Sequence, residues 1–142
     1  MGMFDKLFGD KIDFPPLPAD NEAAAKLDEV RAPLAEFAQN VSDHLEVVPA
    51  EHEAFVYLGH PPKRFGIAWI HDGKVSSLNE LVGENKLTQR EAQKLVTELG
   101  QAYEHASEAP RYSAELGGKK VVVIPSTGLG QEVHQIMEGA IH

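Results

Sequence analysis

Residues 55–75 read FVYLGHPPKRFGIAWIHDGKV, and this stretch decides the fold. Ala54, Val56 and Leu58 alternate with Phe55, Tyr57 and Gly59. Phe65, Ile67, Trp69 and His71 alternate with Gly66, Ala68 and Ile70. A period of two is the signature of β-strands. Both faces of each strand are largely apolar, so the sheet they build is central or covered on both sides. Asp72-Gly73 is a two-residue hairpin signal, and it lets Lys74-Val75-Ser76 pair back as a short third strand. Between the first two strands stands His60-Pro61-Pro62-Lys63-Arg64, a basic loop stiffened by proline in an acidic chain.

Upstream, Leu27, Val30, Leu34, Phe37, Ala38, Val41 and Leu45 recur at helical spacing, which predicts a helical region over 20–45. Asp20 is the expected N-cap. Pro33 is expected to kink this region or to open a second helix, and Pro49 ends it. Downstream, a short helix is expected around Leu78–Val82. Thr88 followed by Glu91 forms a capping box, opening a helix with Ala92, Leu95, Val96, Leu99, Ala102, Tyr103 and Ala106 on one stripe. Tyr112–Leu116 and Lys119–Ile124 flank Gly117-Gly118, a second hairpin whose turn demands positive φ. A last helix carries Val133, Ile136, Met137, Ala140 and Ile141.

The expectation is a single α+β domain over residues 20–142. A mostly antiparallel sheet of four or five strands packs against two or three helices. This order of elements resembles that of profilin-like and roadblock-like modules, which implies a layered scaffold. Residues 1–19 read as an appendage: Phe4, Leu7, Phe8 and Ile12 form an apolar stripe, and Phe14-Pro15-Pro16-Leu17-Pro18 is an extended tether. Such a segment docks on its own domain or on a partner.

The chain has 142 residues, with Lys plus Arg 13, Asp plus Glu 22 and a net charge of −9. That balance argues against nucleic acid, whose affinity comes mainly from neutralising phosphates. With no cysteine, thiolate metal sites, disulfides and a Cys nucleophile are excluded. No apolar run approaches the ~20 residues of a membrane span. Neither a secretory signal nor a myristoylation pattern stands at the start, so a cytoplasmic protein is the expectation.

Three groups of residues invite chemistry. His60, Lys63 and Arg64 suit a phosphate or carboxylate, with Lys119 as a second basic spot. Ser126 and Thr127, in VVVIPSTGLGQE, open a helix whose first N–H groups suit an anion, although the plainer reading is an N-cap. The stretch completes no dinucleotide fingerprint. His134, Glu138 and His142 recur at i, i+4 and i+8, a metal-ligand spacing, and Glu51-His52-Glu53 offers same-face ligands if it is extended. No serine stands in a nucleophile elbow, and no paired-carboxylate signature emerges.

The sequence therefore favours a non-catalytic binding or adaptor protein without a cofactor. It would act through a protein partner or self-association, with Phe4, Leu7, Phe8, Tyr57 and Trp69 as interface candidates. The alternatives are a protein, or an enzyme, that uses the His60–Arg64 loop for a small anionic ligand, and a His/carboxylate metal-binding protein.

Overall fold

A computed structural model of the chain describes residues 14–61 and 63–140. The two hairpin turns are made as their glycines require. Asp72 and Gly73 adopt φ of +54° and +73°, and Gly117 and Gly118 adopt +62° and +83°. Around them the strands are β1 (Leu45–Ala50), β2 (Glu53–His60), β3 (Arg64–His71), β4 (Lys74–Ser77), β5 (Tyr112–Leu116) and β6 (Lys119–Val123). The helices are α1 (Glu22–Glu29), α2 (Arg31–Gln39), α3 (Leu78–Gly83), α4 (Gln89–His105) and α5 (Thr127–Ala140).

One six-stranded sheet results, in the order β4-β3-β2-β1-β6-β5. Strands β1 to β4 form an antiparallel meander. The β5–β6 hairpin joins it by a parallel pairing of β6 with β1, at Glu46↔Val122 and Val47↔Val123. The sheet is thus mixed. It has one strand more than the four or five expected, and five helices are described where two or three were expected.

The additional strand is β1. Leu45 fits the upstream helical stripe and Pro49 looks like a terminator, so LEVVPA escapes recognition as a strand. Pro49 is tolerated because the carbonyl of Val47 faces β6, where it accepts from the N–H of Ile124 at 2.8 Å. By strand parity the nitrogen of Pro49 faces the same side, where β6 has already ended. No ladder hydrogen bond is lost.

The helical region breaks at Val30, three residues before Pro33. Pro33 then sits in the first turn of α2, where its missing N–H costs nothing. Asn21, not Asp20, caps α1, its Oδ1 accepting from Ala23 N at 2.9 Å. The Thr88–Glu91 capping box is formed in both directions.

Helices cover both sheet faces, as the two-sided apolar strands require. Leu27 of α1, Val30 at the break, and Leu34 and Ala38 of α2 pack on Val47, Val56, Ile70 and Val123. Leu95, Leu99, Val133 and Met137 of α4 and α5, with Leu81 of α3, pack on Val48, Phe55, Tyr57 and Ile67. The Pro-rich stretch from Phe14 to Leu17 lies alongside β5. Ser113 N donates to the Pro15 carbonyl, Leu17 N to the Ser113 carbonyl, and Ser113 Oγ to the Phe14 carbonyl. It straps the outer edge of the sheet, and Leu17 packs into the α1–α2 core. Phe4, Leu7 and Phe8 lie outside the described residues, as does His142.

Candidate functional site

Strands β1 and β6 run parallel, but β1 continues past their last pair, Val47↔Val123, to Ala50. The chain leaving β6 turns at Pro125-Ser126 into α5, which folds back over the end of β1. Ser126 Oγ accepts from Leu129 N at 3.1 Å, so Ser126 is the N-cap of α5. The gap between these parts is a cleft of about 770 Å³. Ala50, Glu51, His52 and Glu53 contribute from β1, β2 and their turn, Lys26 from α1, and Thr127, Gly130, Gln131, His134 and Gln135 from α5.

Glu53 is the best-held polar group there. Its side chain is only 13% exposed. Its Oε1 accepts from the indole N–H of Trp69 at 2.8 Å. Its Oε2 stands 2.7 Å from the buried Nδ1 of His134, off the line of a hydrogen bond, so this is a close polar contact rather than an aligned bond. The other ring nitrogen of His134 stands 3.4 Å from Glu138 Oε2. Trp69 in turn stacks on His71 at 4.0 Å between centroids. The turn beside Glu53 is fixed too. His52 adopts φ of +63°, its N–H donates to Glu29 Oε1, and its Nδ1 stands 3.1 Å from Glu29 Oε2. This turn rules out the extended Glu51-His52-Glu53 geometry that same-face ligation would need. Lys26, Glu51 and Glu53 give the cleft fixed charges of both signs, and Thr127, Gln131 and Gln135 add neutral donors and acceptors.

The basic loop is elsewhere. Glu53 pairs with His71 at one end of the β2–β3 hairpin, and His60 pairs with Arg64 at the other, seven residues or about 23 Å away. Because β6 runs with β1, Ser126 and Thr127 share the Glu53 end. The structure therefore does not bring His60, Lys63 and Arg64 together with Ser126 and Thr127. Lys119 lies at the His60 end, where its ammonium donates to the carbonyls of Val41 and Asp43 and ties down the loop before β1.

Of the interface candidates, Tyr57 is fully buried and its hydroxyl donates to the Leu99 carbonyl at 2.9 Å, which makes it a core residue. Burial, with smaller contributions from Glu132, Tyr103 and Glu46, pushes its phenol above the usual range. Trp69 is half-buried against the α4–α5 core and engaged with Glu53. Of the metal candidates, His134 and Glu138 are in contact, but among the described residues no three His, Asp or Glu side chains converge as metal ligands.

A second polar group lies inside the molecule. Glu46, 8% exposed, accepts from the Tyr103 hydroxyl at 2.7 Å and stands 3.1 Å from His44 Nε2. Arg111 lies 5.3 Å from the Tyr103 ring centre and donates to the Ala106 and Ala109 carbonyls. Burial alone would push the Glu46 carboxyl up. The hydrogen bonds from His44 and Tyr103, with the charges of His44 and Arg111, outweigh it and hold the group below its ordinary value. Tyr103 moves the other way, raised by burial and by its bond to Glu46.

Lys26 is the charged cleft residue a reader of the sequence would pass over, whereas Glu53 enters the sequence reading only as a metal-ligand candidate in Glu51-His52-Glu53, a role the turn does not support. Lys26 carries no signal, because its place depends on how α1 packs. No family model, curated protein or solved structure matches this chain. No helix among the described residues is long and apolar enough to cross a membrane.

Proposed function

We propose that this protein is a binding module for a small polar molecule carrying charges of both signs, held in the cleft between the end of β1 and the start of α5. The observation that carries this reading is Glu53. A carboxylate withdrawn from water against Trp69 and His134, at a concave site, is the kind of fixed polar group that orients a ligand. Lys26 complements the negative end of such a molecule, and Glu53 with Glu51 its positive end. The crevice beyond the carboxyl ends of parallel strands is also where ligands of open sheets containing parallel strands commonly bind.

Trp69 is the single tryptophan of the chain and is bonded to Glu53, so its emission reports on the cleft. Titration with a panel of free amino acids, the simplest zwitterions, is expected to give a saturable change for at least one of them. The same compound raises the melting temperature, by about 2.7 kcal/mol of stability at a hundred times its Kd. Glu53→Gln weakens it at least tenfold, about 1.4 kcal/mol. A panel that moves neither emission nor melting removes the reading.

A further inference from the structure

The cleft has two ends of opposite charge, and the spacing between them narrows its ligand. Thr127, Gly130, Gln131, His134 and Gln135 line it at the i, i+3, i+4, i+7, i+8 spacing of one helical face, so the cleft follows the first two turns of α5. From Thr127 to His134 is seven residues, a rise of about 10 Å. Lys26 belongs to the Thr127 end, since the two residues line a small recess together with Pro49 and Ser126; Glu22 opens on that recess and not on the cleft. The start of α5 adds the positive end of its helix dipole there. Glu53 belongs to the other end, against His134. Between the two ends stand Gly130 and Ala50, the smallest lining residues, which leave the middle of the cleft open.

The charges are available to a ligand. Among the described residues, the Lys26 ammonium and the Glu51 carboxylate have no ion-pair or hydrogen-bond partner. Glu53 keeps one oxygen, Oε2, without an aligned hydrogen bond. The two histidines of the cleft each face a further carboxylate, Glu29 for His52 and Glu138 for His134, so they leave the balance as it stands. That balance is one cation, Lys26, against two carboxylates, Glu51 and Glu53. A net-neutral amino acid, with its two charges on neighbouring carbons, reaches one end of the cleft and leaves a carboxylate unmatched at the other.

We propose that the ligand of the cleft is a basic α-amino acid of the lysine or arginine class. Its carboxylate lies on Lys26 and the start of α5, its α-ammonium on Glu51, and its side-chain cation on Glu53. An extended lysine or arginine side chain sets its cation about 6–7 Å from Cα. A hydrogen bond of about 3 Å at each end covers the rest of the distance. Three ligand charges then meet three cleft charges of opposite sign, and each such charge-assisted contact discriminates against a molecule that lacks it. This inference rests on the reading of the cleft as a site for a molecule with charges of both signs, and it names the class of that molecule.

Calorimetry with the full chain tests it, comparing lysine and arginine with three probes that each lack one charge of lysine. Norleucine has no side-chain cation, ε-aminocaproate no α-ammonium, and cadaverine no carboxylate. Lysine or arginine is expected to bind, and each probe at least tenfold more weakly. Glu53→Gln weakens the basic amino acid at least tenfold and leaves norleucine unchanged. Lys26→Gln weakens it by as much and does not weaken cadaverine. Melting curves check that the variants are folded, and the comparison of ligands on the unaltered chain needs no variant. Norleucine or cadaverine binding as tightly as lysine and arginine overturns this proposal, and with norleucine the broader reading of the cleft stands. Silence from every amino acid removes both.

Discussion

Glu46 shows how one side chain can carry a pH dependence for the whole protein. Its carboxyl is held below the ordinary value of 4.5, the net of a burial penalty and of the hydrogen bonds from His44 and Tyr103 that exceed it. The folded state therefore favours the ionised form more than the unfolded state does. Its contribution to stability is present above about pH 4.5 and is lost as pH falls through the lower, folded value. Urea midpoints measured from pH 6 down to pH 3 are expected to fall for the unaltered chain. For Glu46→Gln they start lower and fall less steeply, and equal slopes for the two proteins would contradict this account. Nothing in the sequence marks Glu46 as special. It pairs with Tyr57 and Val122, and meets Tyr103 of α4 only after the chain has closed on itself.

At the scale of elements, what was legible follows local chemistry. The Asp72-Gly73 and Gly117-Gly118 turns need positive φ, the Thr88–Glu91 cap needs two side chains three residues apart, and both can be read without knowing the fold. Strand β1 could not be read. Its admission of Pro49 depends on β6 stopping two residues short of it, a fact about a strand more than seventy positions away. The cleft was hidden for the same reason, since it exists only where β1, β6, α1 and α5 meet. The two turn glycines separate backbone freedom from space. A Cβ at Gly117 would stand 2.7 Å from the Ala35 carbonyl and 2.6 Å from Gln39 Cγ, whereas at Gly118 nothing lies within 4 Å. Gly118→Ala is expected to lose about 1–2 kcal/mol, from the left-handed backbone alone. Gly117→Ala loses distinctly more, because α2 must also move off β5. Thermal unfolding of the two variants decides this, and equal losses would mean that α2 gives way freely.

At the scale of the molecule, the sheet is a local meander joined to a distant hairpin by one parallel seam. Glu46 and Val122 pair across 76 positions of sequence, so the seam has a larger loop-closure cost than any turn of the meander. The seam is therefore expected to form late. Val123→Ala, which removes buried methyls at a fully covered position, should cost about 2 kcal/mol and chiefly speed unfolding. Val56→Ala, in the middle of the meander, should slow folding instead, and stopped-flow kinetics in urea separate the two cases. The strap of residues 14–17 has a further consequence. It lies along the outer side of β5, so among the described residues β4 is the one sheet edge with no neighbouring chain. A body with two open edges can add copies at both and grow without end. A body with one can pair with a single copy, edge to edge, and is then used up. Among the described residues, the strap thus leaves β4 as the sheet edge at which a further strand could add.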